Sequence, residues 1–170
     1  PMWGDYWRLS VLCGARMGNI ISMRWQDLDL TNSTWSLTHT KREDYTIALQ
    51  PDAVNILKKR RKSRKGNCLF VFPSRDDPQA HMQEWRDSWS RIKKAVPEIG
   101  DTKPHDCRRT CGSLMTIAGV PLPTVGQQLG HTPGSQATAI YARLDIAAQR
   151  EAANILGKTL KKLKSDGGRK

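Results

Sequence analysis

Polar and apolar positions alternate along this chain with two different periods. Residues 5–14 place Tyr6, Leu9 and Cys13 on one helical face with Leu12 beside it. Asp5 is the expected N-cap and Gly14 the expected C′ residue. A second short helix is predicted through Asn19, Ile20, Ile21 and Met23. From Trp25 to Gln50 the period drops to two. Leu28 and Leu30 alternate with Asp27 and Asp29, residues 31–34 read as a turn, and Trp35, Leu37 and His39 repeat the alternation. Ile47 and Leu49 supply a third segment, with Lys41-Arg42-Glu43-Asp44 as the hairpin turn before it. The sum is a small three-stranded antiparallel sheet.

The helical period then returns. Pro51 opens a helix over 51–62 with Val54 and Leu57 inward, and the apolar run Leu69-Phe70-Val71-Phe72 reads as buried strand or extended chain. Met82, Trp85, Trp89, Ile92 and Val96 form one stripe and predict a helix over 79–96, its tryptophans in the core. Residues 97–104 read as a loop. Cys107, Cys111, Leu114 and Ala118 share the face of a helix over 105–118, with Arg108 at the border of that face. Gly119 ends it, Pro121 and Pro123 start a shorter helix through Val125 and Leu129, and Gly130 is predicted in the left-handed conformation. A last helical pattern runs from Arg143 to Lys164, through Ile146, Ala153, Leu156 and Leu160, before a polar tail. The fold class is therefore α+β, mainly helical, with a small sheet on a helical body.

Charge narrows the choice of partner. The 170 residues carry 28 Lys+Arg against 16 Asp+Glu, a net +12. That balance points to a polyanion. Nucleic acid is favoured over a membrane, because no stretch is apolar enough to span or anchor. Seven cations crowd the ten residues 57–66: Lys58, Lys59, Arg60, Arg61, Lys62, Arg64 and Lys65. They repel one another in isolation and become favourable along phosphates, where each contact releases counterions. Arg42 and Arg109 join them as expected DNA contacts. Four cysteines without a CxxC pair suit a reducing cytosol. His105, Cys107 and Cys111 lack a fourth ligand at any usual zinc spacing.

The stretch 105–141 concentrates the chemistry: His105, Arg108, His131 and Tyr141, on helices and a glycine-marked turn. Arg16 and Lys41 lie upstream. An arginine between two buried short helices is costly without an anion, unless it stacks on Trp25 or pairs with Asp27 or Asp29. These types bind or protonate phosphate oxygens, and a tyrosine can attack phosphorus. A phenol is mostly neutral at pH 7 and needs cations or a base beside it. Two arginines and a lysine can do the electrostatic work otherwise given to metal ions. No carboxylate cluster suited to Mg²⁺ stands in the sequence, so neither metal nor cofactor is expected.

In these residues the chain resembles the catalytic domain of the tyrosine recombinases, or phage integrases. The resemblance is carried by GARMGNIISMRWQDLDL, by Thr40-Lys41 with its return strand Thr46–Leu49, and by His105-x-x-Arg108. Ala118-Gly119-Val120-Pro121, Leu129-Gly130-His131 and Tyr141-Ala142-Arg143-Leu144 complete it, in the family's order. It covers about residues 5–150 and implies a DNA breaking-rejoining fold. It implies that Arg16 and Arg108 hold the non-bridging oxygens of the scissile phosphate, where a planar fork that stays charged serves best. Tyr141 would be the nucleophile, forming a 3′-phosphotyrosine link. Lys41 would protonate the departing 5′-oxygen, His105 would act as acid/base, and His131 would donate a hydrogen bond to the phosphate.

The implied organisation is a catalytic domain over 1–150 and a C-terminal helix with a basic tail over 151–170. No counterpart of the family's N-terminal core-binding domain is expected. The implied partners are double-stranded DNA, other protomers in a DNA-bound tetramer and accessory DNA-bending proteins, in the nucleoid of a bacterial cytoplasm. Three positions depart from the family pattern. Asn19 stands where an acid usually buttresses the site, Arg109 where histidine is common, and the interval from His131 to Tyr141 is about one residue longer than is common. Two other readings remain at this stage: a non-enzymatic basic DNA-binding module, and relaxation of the type IB topoisomerase kind.

Overall fold

The computed structural model describes residues 2–38, 44–64 and 66–131. Lys41, Arg42, Lys65, Tyr141, the 143–164 helix and the tail lie outside the described residues.

Helix α1, Met2–Cys13, is the axis of the body. It buries Tyr6, Trp7, Leu9, Ser10 and Cys13. It starts three residues earlier than its pattern predicts. Asp5 is therefore in the first turn rather than at the N-cap, where its charge suits the helix dipole. Gly14 ends the helix with φ +62°, and Arg16 leads into α2, Met17–Ile21. A 3-10 turn, Trp25–Asp27, feeds the sheet.

The sheet has β1 (Leu28–Asp29), β2 (Thr34–Leu37) and β3 (Tyr45–Ala48) in the order β1-β2-β3, antiparallel throughout. Leu28 pairs with Trp35, Trp35 with Ile47, and Leu37 with Tyr45. Trp35, Leu37 and Ile47 turn inward on one face, as a period of two requires. Asp29 does not reach Arg16. Its carboxylate accepts from the backbone N–H groups of Thr31 and Asn32 and closes the turn into β2.

Helix α3, Pro51–Lys62, starts at its predicted proline, and the Gln50 side chain accepts from the Asp52 N–H. It runs back along α1, so that Arg60 at its far end meets Asp5 at 3.0 Å. The Arg60 Nε and Nη2 also donate to the Val71 carbonyl, and its guanidinium lies 4.6 Å from the Phe72 ring centroid. Val71 and Phe72 are buried as predicted, and the Val71 N–H donates to the Met23 carbonyl at 2.8 Å.

Helix α4 spans only Arg86–Ala95, not 79–96. Met82 is buried, but through extended pairing: its N–H donates to the Phe72 carbonyl at 2.9 Å, and Pro73 bridges to His81. Val96 is 43% exposed. The tryptophans do belong to the core region. Trp7 donates to Ser88 Oγ at 3.0 Å and lies 4.8 Å from the Trp89 ring.

A 3-10 turn, Pro97–Ile99, precedes α5 (Asp106–Ile117), which packs across α1; α6 (Leu122–Leu129) follows. The buried face of α5 is rotated from the predicted one. It consists of Arg108, Cys111, Gly112 and Thr116, whereas Leu114 is 57% exposed and Ala118 is exposed. Small residues let α5 approach the end of α1 closely, and an arginine takes the place beside them. Gly130 adopts the left-handed conformation at φ 63°, ψ 46°, as predicted.

Candidate active site

The site grows from the end of α1. The Gly14 φ of +62° is one that other residues adopt only with strain. A Cβ there would lie 2.6 Å from Leu129 Cδ2 and 2.8 Å from Cys111 Sγ. Gly14 is therefore the point where α1, α5 and α6 touch. Its carbonyl accepts from Arg108 Nη1 at 2.8 Å, across 94 residues of chain. Arg108 is 5% exposed. Two residues beyond Gly14, Arg16 sits half-buried in extended conformation at the entrance to α2. The two arginines are thus anchored on one three-residue segment.

Nothing among the described residues neutralises Arg16. The ion pairs there are Arg60 with Asp5 and Arg109 with Asp106. Nor does Arg16 stack on Trp25, whose ring faces the Arg64 guanidinium at 6.0 Å instead. A half-buried guanidinium without a carboxylate is a site prepared for an anion.

His105 precedes α5 and remains exposed. Partial burial and the charges of Arg108, Arg109 and Arg16 hold its imidazole below the ordinary histidine value, with Asp106 opposing them. It is neutral near pH 7 and able to take a proton. Asp106 is occupied otherwise: it accepts from the Lys103 N–H at 2.7 Å and from Arg109 at 3.1 Å, and its pKa is lowered chiefly by the first. Arg109 itself is exposed.

His131 follows Gly130, and its backbone N–H donates to the Gly126 carbonyl at 2.8 Å. Two contacts fix α6 and this turn onto β3. The Gln128 side chain pairs with the Ala48 backbone, donating at 2.8 Å and accepting at 3.3 Å, as a neighbouring strand would. Gly130 lies flat against the Tyr45 ring; a Cβ there would be 2.6 Å from the Tyr45 hydroxyl and closer still to ring carbons. Asn19 Nδ2 donates to that hydroxyl at 3.4 Å. Sequence reasoning missed Gly14, Gln128 and Tyr45 as parts of the site. Only the glycine had a signal, as a helix end and as the first residue of the GARMGN motif, and neither marks it as the contact point of three helices.

Arg16, His105, Arg108 and His131 thus come from elements that meet around Gly14 and α6. The basic run does not join them. Asp5, which holds Arg60, is nine residues from Gly14, about 13 Å along α1. Lys58, Lys59, Arg61, Lys62 and Arg64 are exposed there, but Arg60 is turned inward. Lys59, Arg60 and Arg64 line a cavity of about 540 Å³ with Arg8 and Arg75, over Trp25, Phe70 and Val71.

Cysteines 13, 68, 107 and 111 are free thiols. Burial pushes Cys13 up to about 12, with the neighbouring Cys111 adding to it. It is packing, not a nucleophile.

Known proteins resemble this chain in sequence and in fold. The chain is 28% identical over 154 residues to prophage integrase IntF of Escherichia coli (strain K12), which covers 89% of this chain and 33% of the relative. It is 25% identical over 149 residues to tyrosine recombinase XerC of Chlorobaculum parvum, covering 82% and 44%. The chain therefore spans less than half the length of these curated relatives. In fold it is similar to the Tn1549 transposon integrase in complex with circular intermediate DNA, at a TM-score of 0.66 and 19% identity, covering 82% of this chain and 53% of that one. It is also similar to XerA recombinase, at a TM-score of 0.64 and 21% identity, covering 90% and 56%. The profile of the phage integrase family matches residues 6–147, and the chain belongs to that family.

Proposed function

We propose that this chain is the catalytic domain of a site-specific DNA recombinase that cleaves and rejoins DNA by tyrosine transesterification. The observation that carries the reading is the pair Arg16 and Arg108, brought together at Gly14 with no carboxylate on Arg16 among the described residues. Such a pair can grip two non-bridging oxygens of one phosphate and stabilise the charge that builds on them at the transition state.

In the proposed reaction the Tyr141 phenolic oxygen bonds to phosphorus and the bond from phosphorus to the 5′-oxygen breaks. The phenolic proton passes to His105, which is neutral at pH 7 because burial and its arginine neighbours disfavour the imidazolium. Lys41 gives a proton to the departing 5′-oxygen, and His131 donates to a phosphate oxygen. Attack by the freed 5′-hydroxyl on the phosphotyrosine reverses each transfer, so rejoining needs no outside energy source. Tyr6 suits the nucleophile's role poorly, because burial raises its pKa strongly and its hydroxyl lies 3.4 Å from the Met17 carbonyl.

Double-stranded DNA is the proposed partner, with other protomers in a tetramer and accessory DNA-bending proteins, in a bacterial nucleoid. Among the described residues no helix is long and apolar enough to cross a membrane. The exposed cations at the end of α3 would meet phosphates about four base pairs from the cleavage point, if the duplex follows α1 at about 3.4 Å per step. Lys65, Arg42 and Arg109 are proposed to add to that contact.

The test is covalent trapping on a nicked duplex carrying a candidate attachment site. A protein–DNA adduct is expected, lost in Tyr141→Phe with DNA affinity retained, and insensitive to EDTA. An adduct that persists in Tyr141→Phe, or that EDTA abolishes, refutes the assignment.

A further inference from the structure

Two segments that carry proposed catalytic groups converge on a residue with no assigned role. Tyr45 is the first residue of β3 and pairs with Leu37. Its ring is the surface on which Gly130 lies, and Gly130 sets where His131 emerges. Its hydroxyl accepts from Asn19, whose backbone N–H donates to the Arg16 carbonyl at 2.9 Å. One phenol therefore touches the Arg16 turn and the His131 turn.

We propose that Tyr45 is the positioning residue of the site, coupling the Arg16 turn to the His131 turn through its hydroxyl and ring. The argument is geometric. Gly130 has no side chain with which to hold its own position: backbone bonds from Gly130 N–H to Gln127 and from His131 N–H to Gly126 close its left-handed turn, and the Tyr45 ring is what the turn packs against. The Gln128 clamp secures α6 at the Ala48 end of β3, and Tyr45 secures it at the opposite end. Two attachments on one strand fix the rotation of α6 as well as its distance. Asn19, an amide, makes this a neutral link. It orients the arginine turn without placing a carboxylate near the phosphate.

The inference rests on the recombinase reading, and the experiment separates the two. Single-turnover adduct formation is measured for the unsubstituted protein, Tyr45→Phe, Asn19→Ala, the double variant and Tyr45→Ala, alongside DNA affinity and melting temperature. Removing the hydroxyl or its donor is expected to slow adduct formation about three- to tenfold, the worth of one hydrogen bond. The double variant should be no slower than either single one. Tyr45→Ala should cost about a hundredfold, the usual effect of a displaced catalytic group, and Tyr45→Phe should recover most of it. Tyr45→Phe should keep the parental DNA affinity, and neither it nor Asn19→Ala should lose more stability than one hydrogen bond supplies. A Tyr45→Phe rate equal to the parent's, or single effects that multiply, overturns the proposal. So does complete loss of the adduct in Tyr45→Phe, which would make Tyr45 the nucleophile. If the unsubstituted protein forms no adduct, the recombinase reading fails instead. The coupling is then read from the His131 ring signals in NMR: they should shift in both Tyr45→Phe and Asn19→Ala, and unmoved signals refute it.

Discussion

Replacing Gly14 with alanine perturbs stability and chemistry through one methyl group. The new Cβ would lie 2.6 Å from Leu129 Cδ2 and 2.8 Å from Cys111 Sγ, both on buried residues. Overpacking of this kind costs about 1–3 kcal/mol. The φ of +62° adds about 1–2 kcal/mol for a residue with a side chain. The two together predict a loss of about 2–5 kcal/mol, because the neighbours belong to two helices that must both retreat. Retreat of α5 draws Arg108 away from the Gly14 carbonyl it now meets at 2.8 Å. Urea unfolding should show the lost stability. In conditions where the variant is still folded, adduct formation should fall by at least tenfold, since a misplacement of about 1 Å costs up to a hundredfold. A variant that loses less than about 1 kcal/mol and cleaves at the parental rate would refute the claim that Gly14 is the contact point of the site.

Other predictions separate charge from packing. Arg61→Ala should lower the salt slope of DNA binding by about one unit with stability unchanged. Arg60→Ala should leave the slope alone and destabilise the fold, because its guanidinium is held by Asp5 and Val71. Trp7→Phe should cost about 1–3 kcal/mol in urea unfolding by removing the indole donor to Ser88 Oγ, which keeps its bond to the Trp85 carbonyl, and by leaving space beside Trp89, with cleavage per folded molecule unaffected. For His105 the folded pKa is lowered, so the unfolded state binds more protons as pH drops through the ordinary value of 6.5. Its contribution to stability should therefore be complete above pH 6.5 and decline below it, toward the folded pKa. A phosphate placed among the arginines should raise that pKa. DNA binding is then expected to take up protons near the folded value, which calorimetry in buffers of different ionisation enthalpy will detect, and His105→Gln should abolish the uptake.

Periodicity made most of the framework legible. The start of α3 at Pro51, the three-stranded sheet and the left-handed Gly130 all follow from local patterns. What escaped was decided by distant partners. Met82 continues the stripe of Trp85 and Trp89 at helical spacing, yet the Phe72 carbonyl claims its N–H and keeps the segment before Arg86 out of the helix. Leu114 looks like core by spacing, but the close approach of α5 to Gly14 turns Cys111 and Gly112 inward and leaves Leu114 outside. Arg60 is indistinguishable from its basic neighbours in one dimension. Only the antiparallel return of α3 along α1 gives it Asp5 as a partner. Tyr45 and Gln128 carried no signal, since their roles exist only where α6 meets β3.

The way Arg108 is held bears directly on what the site can bind. A buried guanidinium needs acceptors, and a carboxylate would be the strongest orienting group. A carboxylate about 4 Å away would also offset the attraction for an incoming phosphate by about 4 kcal/mol at an effective dielectric of 20. The Gly14 carbonyl fixes the geometry and adds no charge of its own. The same choice recurs at Asn19, an amide, and at Asp106, whose carboxylate is engaged by the Lys103 N–H and Arg109. The Gly14 carbonyl and the Asn19 amide order the two arginine segments without adding a negative charge of their own. Asn19→Asp should therefore weaken binding of inorganic phosphate or vanadate to the protein more than Asn19→Ala does. Equal weakening by the two variants would mean that order at this position matters and charge does not.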